Sequence, residues 1–109
     1  MKIAIVGSRS ITKVEIEKHI FECDEIVSGG AVGVDRLVAQ YAQDNAIKLT
    51  VFLPEYERYA RAAPIIRNKK IVEYCDKVLV FWDNKSKGTK FVIEYARKIS
   101  KPCEVIICT

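Results

Sequence analysis

Short apolar runs along this chain alternate with stretches in which apolar residues recur at helical spacing. Runs of about four to eight residues that are rich in β-branched side chains and end at turn residues are typical of strands. Five runs fit that description and are predicted as strands: residues 2–6, 25–28, 48–53, 77–82 and 103–107. Residues 78–82 are apolar without alternation, which predicts a central strand covered on both faces.

Four helices are predicted between these strands. The first is indicated by Thr12 and Glu15, whose spacing fits a capping box that opens a helix toward Phe21. The second is indicated by an apolar stripe of the kind that packs on a sheet, formed by Val34, Leu37, Val38, Tyr41 and Ala42.

The third helix is predicted to begin at Pro64, because a proline in the first turn removes no intrahelical hydrogen bond. A fourth follows residues 83–89 and carries Val92, Tyr95, Ala96 and Ile99 on one side. Residues 55–63 are predicted as an irregular loop that serves as a lid over a ligand, covers a sheet edge or mediates a dimer through Tyr56, Arg58, Tyr59 and Arg61.

Five strands separated by four helices predict a single α/β domain, a three-layer Rossmann-like sandwich with a parallel sheet in the order 3-2-1-4-5. Ligands in such folds bind beyond the carboxyl ends of the strands, where the strand order reverses. In this order the reversal lies between the first and fourth strands. Three loops, residues 7–10, 29–35 and 83–89, are therefore expected to share one crevice.

The composition is that of a folded globular protein. Half of the 109 residues are apolar and 29% are charged, a mixture that excludes a disordered chain. The longest apolar run, residues 78–82, is far shorter than the roughly 20 residues of a membrane span, and no secretory signal is recognised, so a cytoplasmic protein is expected. The net charge of +4 permits an anionic ligand without requiring DNA.

The cysteines do not indicate a metal site. Cys23, Cys75, Cys103 and Cys108 form no C-x-x-C pair, and the chain has one histidine. Zinc sites use cysteine and histidine ligands at short spacings, so no metal and no cofactor are predicted. The thiols are expected to be reduced.

The three loops have the chemistry of an anion site. Each is small or contains glycine and leads into a predicted helix, so unpaired backbone N–H groups and a helix dipole can face one phosphate. The alternative is that the glycines only permit tight turns. Neither G-x-x-x-x-G-K-[ST] nor G-x-G-x-x-G occurs, which disfavours a P-loop NTPase and an ordinary NAD dehydrogenase.

Four motifs occur in a fixed order along nearly the whole chain: Gly7-Ser8-Arg9; Ser28-Gly29-Gly30-Ala31-Val32-Gly33-Val34-Asp35; Arg67-Asn68; and Trp82-Asp83 followed by Gly88-Thr89. Together they resemble the SLOG superfamily, whose name joins the DNA-processing protein A and lonely-guy families, and in particular its small YspA/YpsA-related group. The resemblance implies a Rossmann-like domain that binds nucleotides or nucleotide-derived ligands. In some branches such domains cleave the N-glycosidic bond of a nucleoside monophosphate.

The resemblance also implies roles for residues. Arg67 stands at the arginine position of the lonely-guy pattern, while the positions of that family's catalytic glutamate fall on Phe91 and Val92. Glu94, one helical turn further on, is the nearest carboxylate. Arg67 and Glu94 are therefore the candidate catalytic pair, and whether the chain is an enzyme stays open.

Candidate ligand-binding residues are Gly7, Ser8, Arg9, Ser28, Gly29, Gly30, Gly33, Asp35, Arg67, Asn68, Trp82, Asp83, Ser86, Gly88 and Thr89. Several have a second interpretation. Asp35 either caps the second helix or accepts a hydrogen bond from a ribose hydroxyl, and Trp82 either stacks on a base or closes the core. Arg9 either grips a phosphate or is solvated at the surface, and Arg67 either grips the ligand or forms a surface ion pair.

Three functions follow. The first is a sensor or carrier module that binds a nucleotide-derived small molecule. The second is a nucleoside-monophosphate N-glycosidase, in which Glu94 or Asp83 acts on water or the sugar. The third, disfavoured by the mild charge, is binding of single-stranded nucleic acid. No membrane partner is expected, and a homo-oligomer is weakly favoured because the domain is small.

Overall fold

The computed structural model describes residues 1–20 and 22–108. Its five strands are β1 (Lys2–Gly7), β2 (Glu25–Ser28), β3 (Lys48–Val51), β4 (Lys77–Trp82) and β5 (Cys103–Ile107). All neighbouring strands are parallel and their order is β3-β2-β1-β4-β5. The predicted parallel Rossmann-like sheet and its strand order are confirmed.

Four α-helices are described: α1 (Val34–Asp44), α2 (Tyr56–Tyr59), α3 (Ala63–Tyr74) and α4 (Lys87–Lys98). The helices α1, α3 and α4 correspond to the last three predicted helices, and α3 carries Pro64 in its first turn as expected.

Two buried clusters cover the two faces of the sheet. Successive side chains of a strand point to opposite faces, so Ala4 and Val6 of β1 pack toward α3 and α4, and Ile3 and Ile5 pack toward α1. The strands β1 and β4 have no exposed residue, because they lie between other strands and under helices on both faces. The molecule is therefore a three-layer sandwich with β1 and β4 at its centre.

The first predicted helix is wrong. Over the described part of 12–21 the chain forms only a 3-10 turn, Ile16–Lys18, whose cap residue Glu15 makes no side-chain capping bond and pairs with Lys18 instead. Phe21 lies outside the described residues. The physical reason is composition: residues 11–20 contain five β-branched side chains, which lose rotamer freedom in a helix. Ile11 and Ile16 are buried against the α1 side of the sheet, so the segment packs without becoming a helix.

Residues 55–63 are more regular than predicted. They form α2, a 3-10 turn (Ala60–Ala62) and the start of α3, with a break at Ala60, whose φ is +49°. Across 1–20 and 22–108, no helix combines the length and apolar character that a membrane crossing requires.

Candidate functional site

A cleft of about 490 Å³ lies at the carboxyl ends of β1, β2 and β4. Gly7 of β1 is paired in register with Phe81 of β4, so the loops that follow these two strands begin side by side. This is the position at which the strand order reverses. Of the predicted ligand-binding residues, the cleft is lined by Gly7, Arg9, Gly29, Asp35, Arg67, Asn68, Asp83, Ser86, Gly88 and Thr89.

Arg67 of α3 reaches across the sheet edge to the end of β2. Its Nη1 donates to the carbonyl of Gly29 at 2.6 Å, and its Nε donates to Oδ1 of Asn68 at 2.8 Å. Burial lowers the pKa of the guanidinium, while the nearby charge of Asp35 opposes that shift. Arg67 thus fixes the second loop and presents a half-buried cation to the cleft.

Asp35 is buried in the first turn of α1. Its Oδ2 accepts from the backbone N–H of Ala31 at 2.9 Å. Burial raises the pKa of this carboxyl, and the bond from Ala31 opposes the shift. The carboxyl therefore closes the loop before α1 and occupies the positive end of that helix.

Asp83 organises the loop between β4 and α4. Its carboxylate accepts from the hydroxyl of Ser10 at 2.7 Å and from the backbone N–H groups of Ser86 and Lys85 at 2.8 and 2.9 Å. The Ser10 hydroxyl and these amides hold the pKa of Asp83 well below its usual range. The carboxylate is a poor general base, because its lone pairs are already engaged.

The N-terminus of α4 opens into the cleft. Ser86 caps the helix by accepting from the backbone N–H of Thr89 at 3.4 Å, and it also accepts from the Thr89 hydroxyl at 3.1 Å. The first turn of α4 contains no carboxylate. A Cβ added to Gly88 would meet no atom within 4 Å, so this side of the helix end is open.

Other glycines are required by the chain's own packing. A Cβ on Gly7 would lie 2.4 Å from Val34 Cγ2, and one on Gly29 would lie 2.7 Å from Arg67 Nη1. Gly30 and Gly33 have φ values of +69° and +78°, in the left-handed region that favours glycine. Gly88 is the glycine whose missing side chain leaves room for something else.

Ser8 and Ser28 are predicted ligand residues that lie beneath the cleft. Ser8 is buried, with its hydroxyl accepting from the backbone N–H of Asp83 at 3.1 Å, and Ser28 accepts from the N–H of Gly30 at 3.3 Å. Both hydroxyls hold the loops in place.

Gly30 and Gly33 do not line the cleft either. A Cβ on Gly30 would lie 2.8 Å from Leu53 Cδ2 and from Val51 Cγ1. A Cβ on Gly33 would lie 2.8 Å from the carbonyl oxygen of Arg9. Gly30 packs against the edge of β3, and Gly33 lets the first and second loops touch.

Trp82 supports the cleft from outside it. Its indole Nε1 donates to the carbonyl of Ser86 at 3.0 Å, and the ring packs against the cluster under α3 and α4. The structure favours the interpretation in which Trp82 closes the core and holds the α4 cap.

Glu94 lies on the outer face of α4. Its carboxylate is 3.8 Å from Lys90 Nζ, and its side chain is 63% exposed. The neighbouring helix positions Val92, Ile93 and Ala96 are buried, which turns Glu94 outward. Glu94 and Arg67 are therefore not brought together, and Asp35 and Asp83 are the carboxylates that the described lining contains.

Of the three roles predicted for residues 55–63, the described lining of the cleft does not support the lid. None of Tyr56, Arg58, Tyr59 and Arg61 is among its described lining residues, and Tyr56 and Arg58 line a separate cavity with Glu55. The sequence did not identify six of the described lining residues, which are Val6, Ser10, Ala31, Pro64, Ile71 and Val92. Ser10 and Ala31 lie within the loops that were predicted to form the crevice, so their place in those loops could have identified them as lining residues.

Comparisons of the chain with models of protein families, with curated proteins and with solved structures found no match. The function is therefore inferred from the geometry of the cleft.

Proposed function

We propose that the protein binds a nucleotide or nucleotide-derived ligand that carries a phosphate, as a sensor or carrier module. The observation that carries this proposal is the α4 N-terminus: it has no carboxylate in its first turn and opens through Gly88 into a cleft that Arg9 and Arg67 also line. Backbone N–H groups at a helix N-terminus, together with two guanidinium groups, are a strong anion-binding combination.

The two helix N-termini that face the cleft differ. At α1 the carboxyl of Asp35 already occupies the positive end of the dipole, so an added phosphate would meet a negative group there. At α4 the first turn holds no carboxylate and begins with Lys87, and the nearby Asp83 carboxylate is bound to the N–H of the cap residue Ser86, before that turn. The phosphate is therefore assigned to α4 and the rest of the ligand to the side of Asp35 and Asn68.

The lining beyond the phosphate position suits a sugar and a base. Part of the lining is apolar and is formed by Val6, Pro64, Ile71 and Val92. Small-molecule sites combine such a surface with a few placed polar groups. A hydrogen bond from a ribose hydroxyl to the Asp35 carboxyl would fix the orientation of the ligand in the cleft.

Membership of the SLOG superfamily is part of this proposal. It is supported by the order of the four motifs and by the way their loops converge on one cleft. The four cysteines are free, which supports a reducing compartment such as the cytosol. A homo-oligomer and binding of single-stranded nucleic acid remain predictions from the sequence.

One observation favours hydrolysis as the second candidate function. Asp35 is a buried carboxyl with a raised pKa in the cleft, the property a general acid needs to protonate a leaving base. A glycosidase in this cleft would use Asp35 instead of Glu94. Release of free base from nucleoside monophosphates, lost in Asp35→Asn, would identify it.

Thermal unfolding with nucleoside monophosphates tests the binding proposal. A ligand at about 100 times its dissociation constant stabilises the folded state by about 2.7 kcal/mol, a rise in melting temperature on the order of 10 °C. Arg9→Met should reduce affinity by about tenfold or more, because Arg9 is exposed and its removal costs a charge-assisted contact without disturbing the core.

The matched control is Arg97→Met, which removes an exposed arginine from the last turn of α4. It should leave affinity unchanged. Equal losses in the two variants, or no shift with any nucleotide, would overturn the proposal.

A further inference from the structure

A second cleft, of about 690 Å³, adjoins the first. Ser10 and Asp83 line both clefts. The Ser10 hydroxyl donates to Asp83 Oδ2 at 2.7 Å, so this hydrogen-bonded pair lies where the two clefts meet. The second cleft is also lined by Lys13 and Lys85. Its volume falls within the range of about 300–1,000 Å³ that small-molecule sites occupy.

The lysines of the second cleft are not neutralised by the chain. Lys18 and Lys90 each form an ion pair with a glutamate on the same segment. In the part of the chain that the structure describes, no carboxylate lies within 4.0 Å of the ammonium of Lys13 or Lys85. Two unpaired cations in one concavity favour an anion.

Asp83 is the one acidic residue in the described lining of the second cleft. The Asp83 carboxylate already accepts three hydrogen bonds, from Ser10, Lys85 and Ser86, so its negative charge is spread over fixed donors. The Ser10 hydroxyl and the Lys85 and Ser86 amides are engaged by Asp83, so the groups of the second cleft that can receive an anion are the two lysines. The rest of the second lining is formed by Ile11, which is buried, Thr12, which is exposed, and Cys108, which is half-buried.

We propose that the second cleft binds a further phosphate of the same ligand, so that the protein selects nucleoside diphosphates and triphosphates over monophosphates. This inference rests on the proposed function, because the first phosphate is assigned to α4. It adds a ligand class and a second binding site formed by Lys13 and Lys85.

The test is calorimetric titration with matched pairs, AMP with ADP and GMP with GDP, and with inorganic pyrophosphate. The diphosphate is expected to bind about tenfold more tightly than its monophosphate, which corresponds to one hydrogen bond to a charged group. In the double variant Lys13→Gln/Lys85→Gln that advantage should fall to within about twofold, with monophosphate affinity unchanged, since its phosphate is held at α4. The matched control, Arg97→Gln/Lys98→Gln, removes two exposed cations from the last turn of α4 and should keep the full advantage.

The outcomes separate the two proposals. Equal affinity for monophosphate and diphosphate, or loss of the advantage in the control as well, would overturn the second site and leave the proposed function intact. Pyrophosphate binding at Lys13 and Lys85 without any advantage for diphosphates would also overturn it, because the anion would not belong to the same ligand. Failure of every nucleotide to bind would overturn both proposals.

Discussion

Arg67 donates from Nη1 to the carbonyl of Gly29 at 2.6 Å, although the two residues are 38 positions apart in the chain. The bond joins α3 to the end of β2 and leaves no room for a side chain at Gly29. The same guanidinium faces the candidate ligand. One arginine therefore supports both the shape of the cleft and its charge.

Arg67→Lys should lower the free energy of unfolding by about 1–3 kcal/mol, because an ammonium cannot hold Gly29 and Asn68 with one planar group and leaves a carbonyl unpaired. Denaturant unfolding measures this loss. Nucleotide affinity should also fall, although the charge is retained. Arg97→Lys, at an exposed position, is the control, and an Arg67→Lys protein as stable as the wild type would contradict the structural role.

Gly88→Ala should raise stability and weaken binding at once. Gly88 is the second residue of α4 and has open space beside it, so alanine should stabilise the helix by up to about 0.5–1 kcal/mol. The added methyl group would occupy the space assigned to the phosphate. Thermal unfolding measures the first effect, and titration followed by the fluorescence of Trp82, the single tryptophan, measures the second.

Gly33→Ala is the comparison for that variant. Its positive φ and the nearby carbonyl of Arg9 make any side chain strained, so stability should fall by about 1–3 kcal/mol. If Gly88→Ala instead binds nucleotide as tightly as the wild type, the phosphate does not lie at the α4 N-terminus.

Asp35→Asn should reveal a pH-dependent contribution of the Asp35 carboxyl to the free energy of unfolding. Burial raises the pKa of Asp35 above its ordinary value of 3.8, so the folded state favours the protonated carboxyl. Its contribution is complete below pH 3.8 and is lost as the pH rises through the folded-state pKa. The wild type should therefore lose stability relative to Asp35→Asn as the pH rises from 3.8 through the folded-state pKa. Urea unfolding at a series of pH values measures the difference, and a wild type that keeps or gains stability relative to Asp35→Asn as the pH rises would show that the carboxyl is not buried as described.

Glu94→Gln should change little. The side chain is exposed and contacts Lys90 on the same helix, so unfolding should shift by less than about 0.5 kcal/mol and nucleotide affinity by less than about twofold. Any release of base from a monophosphate should persist in this variant. Its disappearance would restore Glu94 as a catalytic candidate.

The sheet could be predicted because each strand is marked locally. Residues 78–82 are apolar throughout, and β4 is indeed covered on both faces. The structure of the segment after β1 could not be predicted in the same way. Its capping-box pattern favours a helix, but its β-branched side chains oppose one and pack as an irregular chain. A local motif was outweighed by the burial of Ile11 and Ile16.

The position of the cleft was predictable from topology, but the role of each residue was not. Gly7 must be glycine because a side chain there would collide with Val34. A side chain at Gly33 would collide with the backbone of Arg9. Such partners come from other loops and leave no trace in the local sequence. Glu94 shows the reverse case, because the buried positions Val92 and Ala96 around it already indicate that it faces outward.

The pairing of β1 with β4 joins Ile3 to Lys77, two residues that lie far apart in the sequence. Contacts of such long sequence separation close late and slowly during folding. The cleft needs the ends of both strands, so a partly folded chain that lacks this pairing has no place for a nucleotide. A bound ligand would then act on the lifetime of the native protein, by slowing its unfolding, and would not hasten its formation.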